Sequence, residues 1–149
     1  MSLKQQLSED MKAAMKEKEA GKFRLSVIRM ARSAIQKLEI DKRRELTDEE
    51  VMDVLSKEVK QRRDSIHEYE KAGRSEVVAK LNEEIALLTA YLPQQLSEAE
   101  IRSLVHEAVT VTGAQGPRDM GKLMSTLMPK VKGRADGKIV NQIVKEILN

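Results

Sequence analysis

The chain has 149 residues, enough for one ordinary domain or two small ones. Its 40% hydrophobic residues include one Phe, two Tyr and no Trp, so Leu, Ile, Val, Ala and eight Met must build the core. A net charge of +3 is too small for a histone-like binder, and the absence of cysteine excludes disulfides, thiolate zinc sites and thiol nucleophiles.

Three prolines, seven glycines and 34% charged residues point to an all-α protein. The first ten residues hold no apolar run of signal-peptide length, and their acids argue against a transit peptide. No stretch approaches the roughly 20 apolar residues that span a bilayer. The expectation is a soluble, cytoplasmic protein with no membrane partner.

Four helices are predicted between residue 2 and about residue 91. Ser2 caps the first, with Gln5 at the reciprocal capping-box position. Leu3, Leu7, Met11, Ala14 and Met15 form its apolar stripe, and Gly21 ends it. The second runs from about Phe23 to Arg44, with Leu25, Ile28, Ala31, Ile35 and Leu38 inward and Arg29, Arg32, Gln36 and Arg43 opposite. The third opens on the clearest local signal: Thr47 caps, Glu50 completes the box, and Leu46 and Val51 occupy the hydrophobic-staple positions. Val51, Val54, Leu55, Val59, Ile66 and Tyr69 continue its stripe. Asp53–Lys57 and Glu58–Arg62 are read as i,i+4 pairs on its outer face. Gly73 breaks this helix. Ser75 caps the fourth, whose stripe is Val78, Leu81, Ile85, Leu88 and Leu92.

Pro93 biases Leu92 out of helical geometry and sets a boundary. Leu96, Ser97, Glu100 and Ile101 then repeat the staple-and-box arrangement. The fifth helix buries Ile101, Leu104, Val105 and Ala108 and ends at Gly113. A sixth begins near Pro117, presents Met120, Leu123, Met124, Leu127 and Met128, and stops at Pro129 and Gly133. Asp136 caps a seventh, with Ile139, Val140, Ile143, Val144, Ile147 and Leu148 on one side. The expected organisation is a four-helix subdomain at 1–92, a linker at 93–95 and a three-helix subdomain at 96–149.

No Walker or dinucleotide glycine spacing is present. His67 and His106 belong to different subdomains and lack an adjacent ligand set, so no metal site or cofactor is expected. The carboxylates read as solvated faces. No catalytic residue is assigned.

The most informative stretch is Pro129 to Lys138, where Lys130, Lys132, Arg134 and Lys138 stand against the single acid Asp136. Gly133 and Gly137 give it backbone freedom. As a solvated loop, its lysines would complement the carboxyl end of the sixth helix. As a functional loop, it could follow a nucleic-acid backbone without reading bases, because three aromatics cannot supply base-stacking platforms. Arg29, Arg32 and Arg43, with Lys57, Lys60 and Arg63, make a second basic face. Met120, Met124 and Met128 could line a partner groove, although a three-helix core explains them more simply.

Four stretches resemble the YqeY family of small bacterial proteins: Arg29-Met30-Ala31, Glu68-Tyr69-Glu70-Lys71-Ala72-Gly73-Arg74, Tyr91-Leu92-Pro93-Gln94-Gln95-Leu96 and Lys132-Gly133-Arg134-Ala135-Asp136-Gly137. The last two are the more specific. That family is similar to the carboxyl-terminal tail of the B subunit of tRNA-dependent Asn/Gln amidotransferases, which convert Glu-tRNA(Gln) or Asp-tRNA(Asn) to the amide with glutamine as nitrogen donor. The resemblance implies a two-part helical fold whose last subdomain helps to hold tRNA. It makes Lys132, Gly133 and Arg134 candidate RNA contacts and Asp136 and Gly137 supports of the loop, and the charge of the stretch adds Lys130 and Lys138 as candidate contacts. The catalytic domain of the B subunit and the serine and lysine machinery of the amidase subunit have no counterpart here. The carbon–nitrogen ligase activity therefore belongs to the relative's complex. The expected function is a non-catalytic, tRNA-binding or tRNA-associated helical module of translation. The alternative is a helical protein-interaction adaptor, an accessory to an amidotransferase complex.

Overall fold

In the computed structural model, which describes residues 1–149, the chain forms seven α-helices and no strand. These are α1 (Leu3–Lys16), α2 (Lys22–Lys42), α3 (Asp48–Lys71), α4 (Ser75–Thr89), α5 (Glu98–Thr112), α6 (Met120–Val131) and α7 (Gly137–Leu148). They fall into two compact units, Met1–Leu92 and Pro93–Asn149.

In the first unit α1 lies along α2, and α3 and α4 form a helical hairpin. Its core gathers Leu7 from α1, Val27, Ile28, Ala31 and Ile35 from α2, Val51, Val54, Leu55 and Val59 from α3, and Leu88 from α4. Each fully buried Leu, Ile or Val of this kind stabilises the fold by about 1.5–3 kcal/mol. The predicted helix starts hold. Ser2 and Thr47 each accept from the third helical N–H, and Gln5 and Glu50 return the bond to the cap backbone. Leu46 and Val51 are both buried, as a staple requires. Glu50 also takes Lys42 at 2.6 Å and Arg44 at 2.7 Å, which pins the α2–α3 corner.

Several expectations are corrected. Met15 is 50% and Tyr69 38% exposed, because the stripes run past the ends of the core that would cover them. Gly21 does not end α1. The helix stops at Lys16, and Gly21 closes a 3-10 turn over Lys18–Gly21 that leads into α2. Its φ is an ordinary −94°, so backbone freedom is not the reason for a glycine. A Cβ there would lie 2.1 Å from the Ala14 carbonyl oxygen, so it is close approach that demands it. Ser75 is the first residue of α4 and not its cap, a position taken by Arg74 with no side-chain bond. Of the α4 stripe, only Leu88 is fully buried, because the distal half of the hairpin packs on its partner helix alone. Arg62 marks where the core ends. It is 6% exposed, and its ion pairs to Glu58 (2.9 Å) and Glu84 (3.4 Å) lie inside the hairpin rather than on the outer face. Removing one member of such a group typically costs about 3–5 kcal/mol, since the other charges stay buried.

The second unit packs α5 against both α6 and α7. Ile101, Val105 and Ala108 meet Leu123, Leu127 and Val131 of α6 and Val140, Ile143, Val144 and Leu148 of α7. Ser97 caps α5 through the Glu100 N–H, with Leu96 packed on the core beside Ile101, but the predicted box is only half formed, because the Glu100 side chain returns no bond to the Ser97 N–H. Gly113 ends α5 at φ +69°, where a Cβ is disfavoured. A 3-10 turn at Pro117–Asp119 precedes α6, which begins at Met120. Pro129 does not stop α6. It sits inside the last turn, where its missing N–H costs one bond, and the helix runs on to Val131. Met120 and Met124 are partly buried, while Met128 (41%) and Ile139 (42%) are exposed, off the faces that α5 covers.

Two outcomes follow for stability. Gly21→Ala should destabilise the protein by about 1–3 kcal/mol, read as a lowered midpoint in denaturant, because backbone must shift to admit the methyl group. The Glu50 carboxyl is held well below its ordinary value of 4.5 by hydrogen bonds from Arg44, then Lys42, then the Thr47 N–H. A depressed carboxyl contributes stability above its unfolded-state pKa, and that contribution is lost as pH falls through the folded-state value. Thermal melts from about pH 5 downward should therefore fall more steeply for the wild type than for Glu50→Gln, which keeps the capping geometry without the charge.

Candidate nucleic-acid interface

The basic stretch forms the turn between α6 and α7. Lys132 leaves helical geometry at ψ 126°, and Gly133 then takes φ +74°, reversing the chain. The Arg134 N–H closes the reversal on the Val131 carbonyl at 2.9 Å. Asp136 caps α7 by accepting from the Lys138 N–H at 2.9 Å. Gly137, expected to supply turning freedom, is the first residue of α7 and has no positive φ. Only Gly133 uses the conformational freedom of glycine here.

This turn is bonded to the segment that precedes α5. The Leu96 N–H donates to the Arg134 carbonyl at 2.8 Å, and Arg134 Nε donates to the Gln94 carbonyl at 3.1 Å. Gln95 Nε2 donates to the Gly133 carbonyl at 2.9 Å and to the Pro93 carbonyl at 3.0 Å. The two most specific stretches of the sequence thus meet. Within Pro93–Gln95, which read as a linker from sequence, the Gln94 carbonyl and the Gln95 side chain bond to the turn. Gln94 and Gln95 carry no local signal beyond their place in a recognised stretch, since their partners lie about 40 residues away.

The five candidate RNA contacts are positioned unequally. Lys132 and Lys138 are exposed, while Gly133 and Arg134 are half-buried in the turn. Lys130, on the last turn of α6, reaches Glu107 of α5 at 3.5 Å, an acid that sequence spacing does not connect to it. Arg134 is therefore first a structural residue, while Lys132 and Lys138 are the exposed basic residues of the turn.

The second basic face divides. Arg29 and Arg32 line a groove of about 520 Å³ between α1 and α2 in the first unit, together with Lys4 and Gln36. Arg43 does not join them, because it caps α2 in the left-handed region at φ +57° and leaves the helical face. Lys4 is paired with Glu39 at 2.8 Å, and Glu39 also accepts the Leu46 N–H at 2.8 Å. These bonds, the Lys4 one first, hold the Glu39 carboxyl below its ordinary value. Tyr91 donates to the Asp10 carboxylate, and burial pushes its hydroxyl pKa upward, with the Asp10 bond adding to it. The stretch Glu68–Arg74 is exposed throughout at the tip of the α3–α4 hairpin. His67 and His106 are exposed, and no group of three or more potential ligands converges as a metal site. No helix is long and apolar enough to cross a membrane.

An all-helical protein with a glycine-turned basic loop braced by a Pro-Gln-Gln segment is the class these features define. The chain belongs to the Yqey-like protein family, which it matches over residues 4–148. It is 29% identical over 145 residues to the altered inheritance of mitochondria protein 41, mitochondrial, of Pyrenophora tritici-repentis, covering 95% of this chain and 78% of that protein. A protein of the same name from Lachancea thermotolerans is 37% identical over 114 residues, 74% of this chain and 60% of its own length. A stretch of 55 residues, 34% of this chain, is 42% identical to the E subunit of the glutamyl-tRNA(Gln) amidotransferase of Thermococcus sibiricus and spans 9% of that protein. The relation to amidotransferase subunits implied by the motifs is thus found, over a small part of a much larger protein.

The Gln95 bracing has a direct readout. Gln95→Ala removes two hydrogen bonds worth about 0.5–1.5 kcal/mol each. Amide exchange at Leu96, whose N–H is bonded to Arg134, should accelerate roughly tenfold while the α5 core amides keep their protection.

Proposed function

We infer that this protein is a non-catalytic, tRNA-associated helical module whose second unit contacts the RNA backbone through the α6–α7 turn. The observation that carries this reading is the braced turn itself. Three hydrogen bonds from the segment before α5 fix a short basic turn on which Lys132 and Lys138 are exposed, as a rigid element for phosphate contact would be. The family relation supports the partner class, because one relative is named for glutamyl-tRNA(Gln). With three aromatic residues in the chain, contact would follow backbone and shape rather than bases.

A second reading, an adaptor for an amidotransferase or another protein, rests on the exposed Met128 and Ile139 of the second unit. Affinity capture from extract with and without nuclease separates the two. RNA recovered only without nuclease supports the module, and nuclease-resistant protein partners without RNA support the adaptor.

Lys132→Glu/Lys138→Glu keeps the Arg134 and Gln95 bonds and should abolish a tRNA mobility shift seen at low salt. For the wild type, the two phosphate contacts of Lys132 and Lys138 would lose roughly tenfold in affinity between about 50 and 200 mM salt, by the duplex slope. Absence of any shift at low salt would remove this reading.

A further inference from the structure

The groove between α1 and α2 holds polar groups that neither the packing nor the turn of the second unit uses. Arg29 makes no hydrogen bond or ion pair within the protein, and Arg32 donates only to the Met11 sulfur, a weak acceptor that leaves its charge uncompensated. Three residues apart on one helix, the two guanidinium groups share a face. Ser33 and Gln36 stand on the same wall. The one carboxylate lining the groove, Glu39, is already engaged by Lys4 and the Leu46 N–H.

The floor is apolar. Leu7 and Ile35 are 0% and 3% exposed, and partly buried Met11 lies beside them. A volume of about 520 Å³ is that of a small-molecule site rather than a packing defect. A guanidinium fork matches a phosphate or carboxylate in bidentate fashion. Two forks on one face fit a group carrying close to two negative charges, as a phosphate monoester does near neutral pH, better than a single carboxylate.

We propose that this groove binds a small phosphate monoester attached to a flat or apolar body, of the nucleoside monophosphate class. Its phosphate sits between Arg29 and Arg32, its ring system lies against Met11, which the buried Leu7 and Ile35 back, and Gln36 and Ser33 meet its polar edge. The site lies wholly within the first unit and does not depend on the α6–α7 turn.

The test is titration of the full chain with adenosine monophosphate, inorganic phosphate and adenosine, followed by calorimetry and by amide chemical shifts. Adenosine monophosphate should shift amides in Lys4–Met11 and Arg29–Gln36 and bind more tightly than either fragment. Arg29→Gln/Arg32→Gln, with unchanged helicity, should weaken it at least tenfold, equivalent to about 1.4 kcal/mol. Arg43→Gln and Lys132→Glu/Lys138→Glu should leave it unchanged, so that failure of the tRNA reading would not touch this one. No shift at millimolar nucleotide, equal binding by adenosine, equal binding by inorganic phosphate, or an unaffected double arginine variant would each overturn the proposal.

Discussion

In the second unit one backbone hydrogen bond, from the Leu96 N–H to the Arg134 carbonyl at 2.8 Å, constrains how the helices meet. Three helices of 12 to 15 residues are marginal alone and hold together by burying a common face. The bond fixes the entry to the first of them against the turn between the last two, and the Gln94 and Gln95 contacts reinforce it. Once that turn is fixed, Val140, Ile143, Val144 and Leu148 are aimed at α5, and Lys132 and Lys138 are left facing solvent. The same constraint that makes a core makes a display of charge.

The first unit handles charge differently. At Glu50 and at Glu39, carboxylates gather cations and backbone N–H groups to pin corners of the bundle. At Arg62 the arrangement is inverted, with one buried cation between two acids where the apolar core runs out. Beyond it the hairpin continues as two helices with no third layer, which leaves the Glu68–Arg74 turn exposed. Arg29 and Arg32 stand apart from all of these, since no carboxylate in their groove is left to balance them. Cations held in structural pairs and cations displayed over an apolar floor serve different ends, and only the second kind offers a ligand anything.

How much of this the sequence carries depends on the range of the interaction. Thr47, Glu50, Leu46 and Val51 lie within five positions of one another, so cap, box and staple are legible directly, as are Ser2 with Gln5 and Asp136 at α7. Pro129 misleads because a proline near a helix end can be absorbed by the last turn at the cost of one hydrogen bond. Gly21 misleads because its neighbour Ala14 lies across a turn, and a close approach leaves no trace in local propensity. Glu58 and Arg62 have the spacing of a surface pair, and only the arrival of α4 with Glu84 puts them inside.

The sequence by itself therefore determined the helical class, the seven helices and most of their starts, and the basic stretch near the carboxyl end. Each of these rests on contacts among residues a turn or less apart. The tertiary structure alone decided that this stretch is a braced turn, because its partners Gln94, Gln95 and Leu96 lie about 40 residues upstream. It also decided that Arg29 and Arg32, but not Arg43, share a groove. A helical face can be drawn from spacing, but whether a neighbouring helix covers it, lines it or misses it is fixed only when the chain packs.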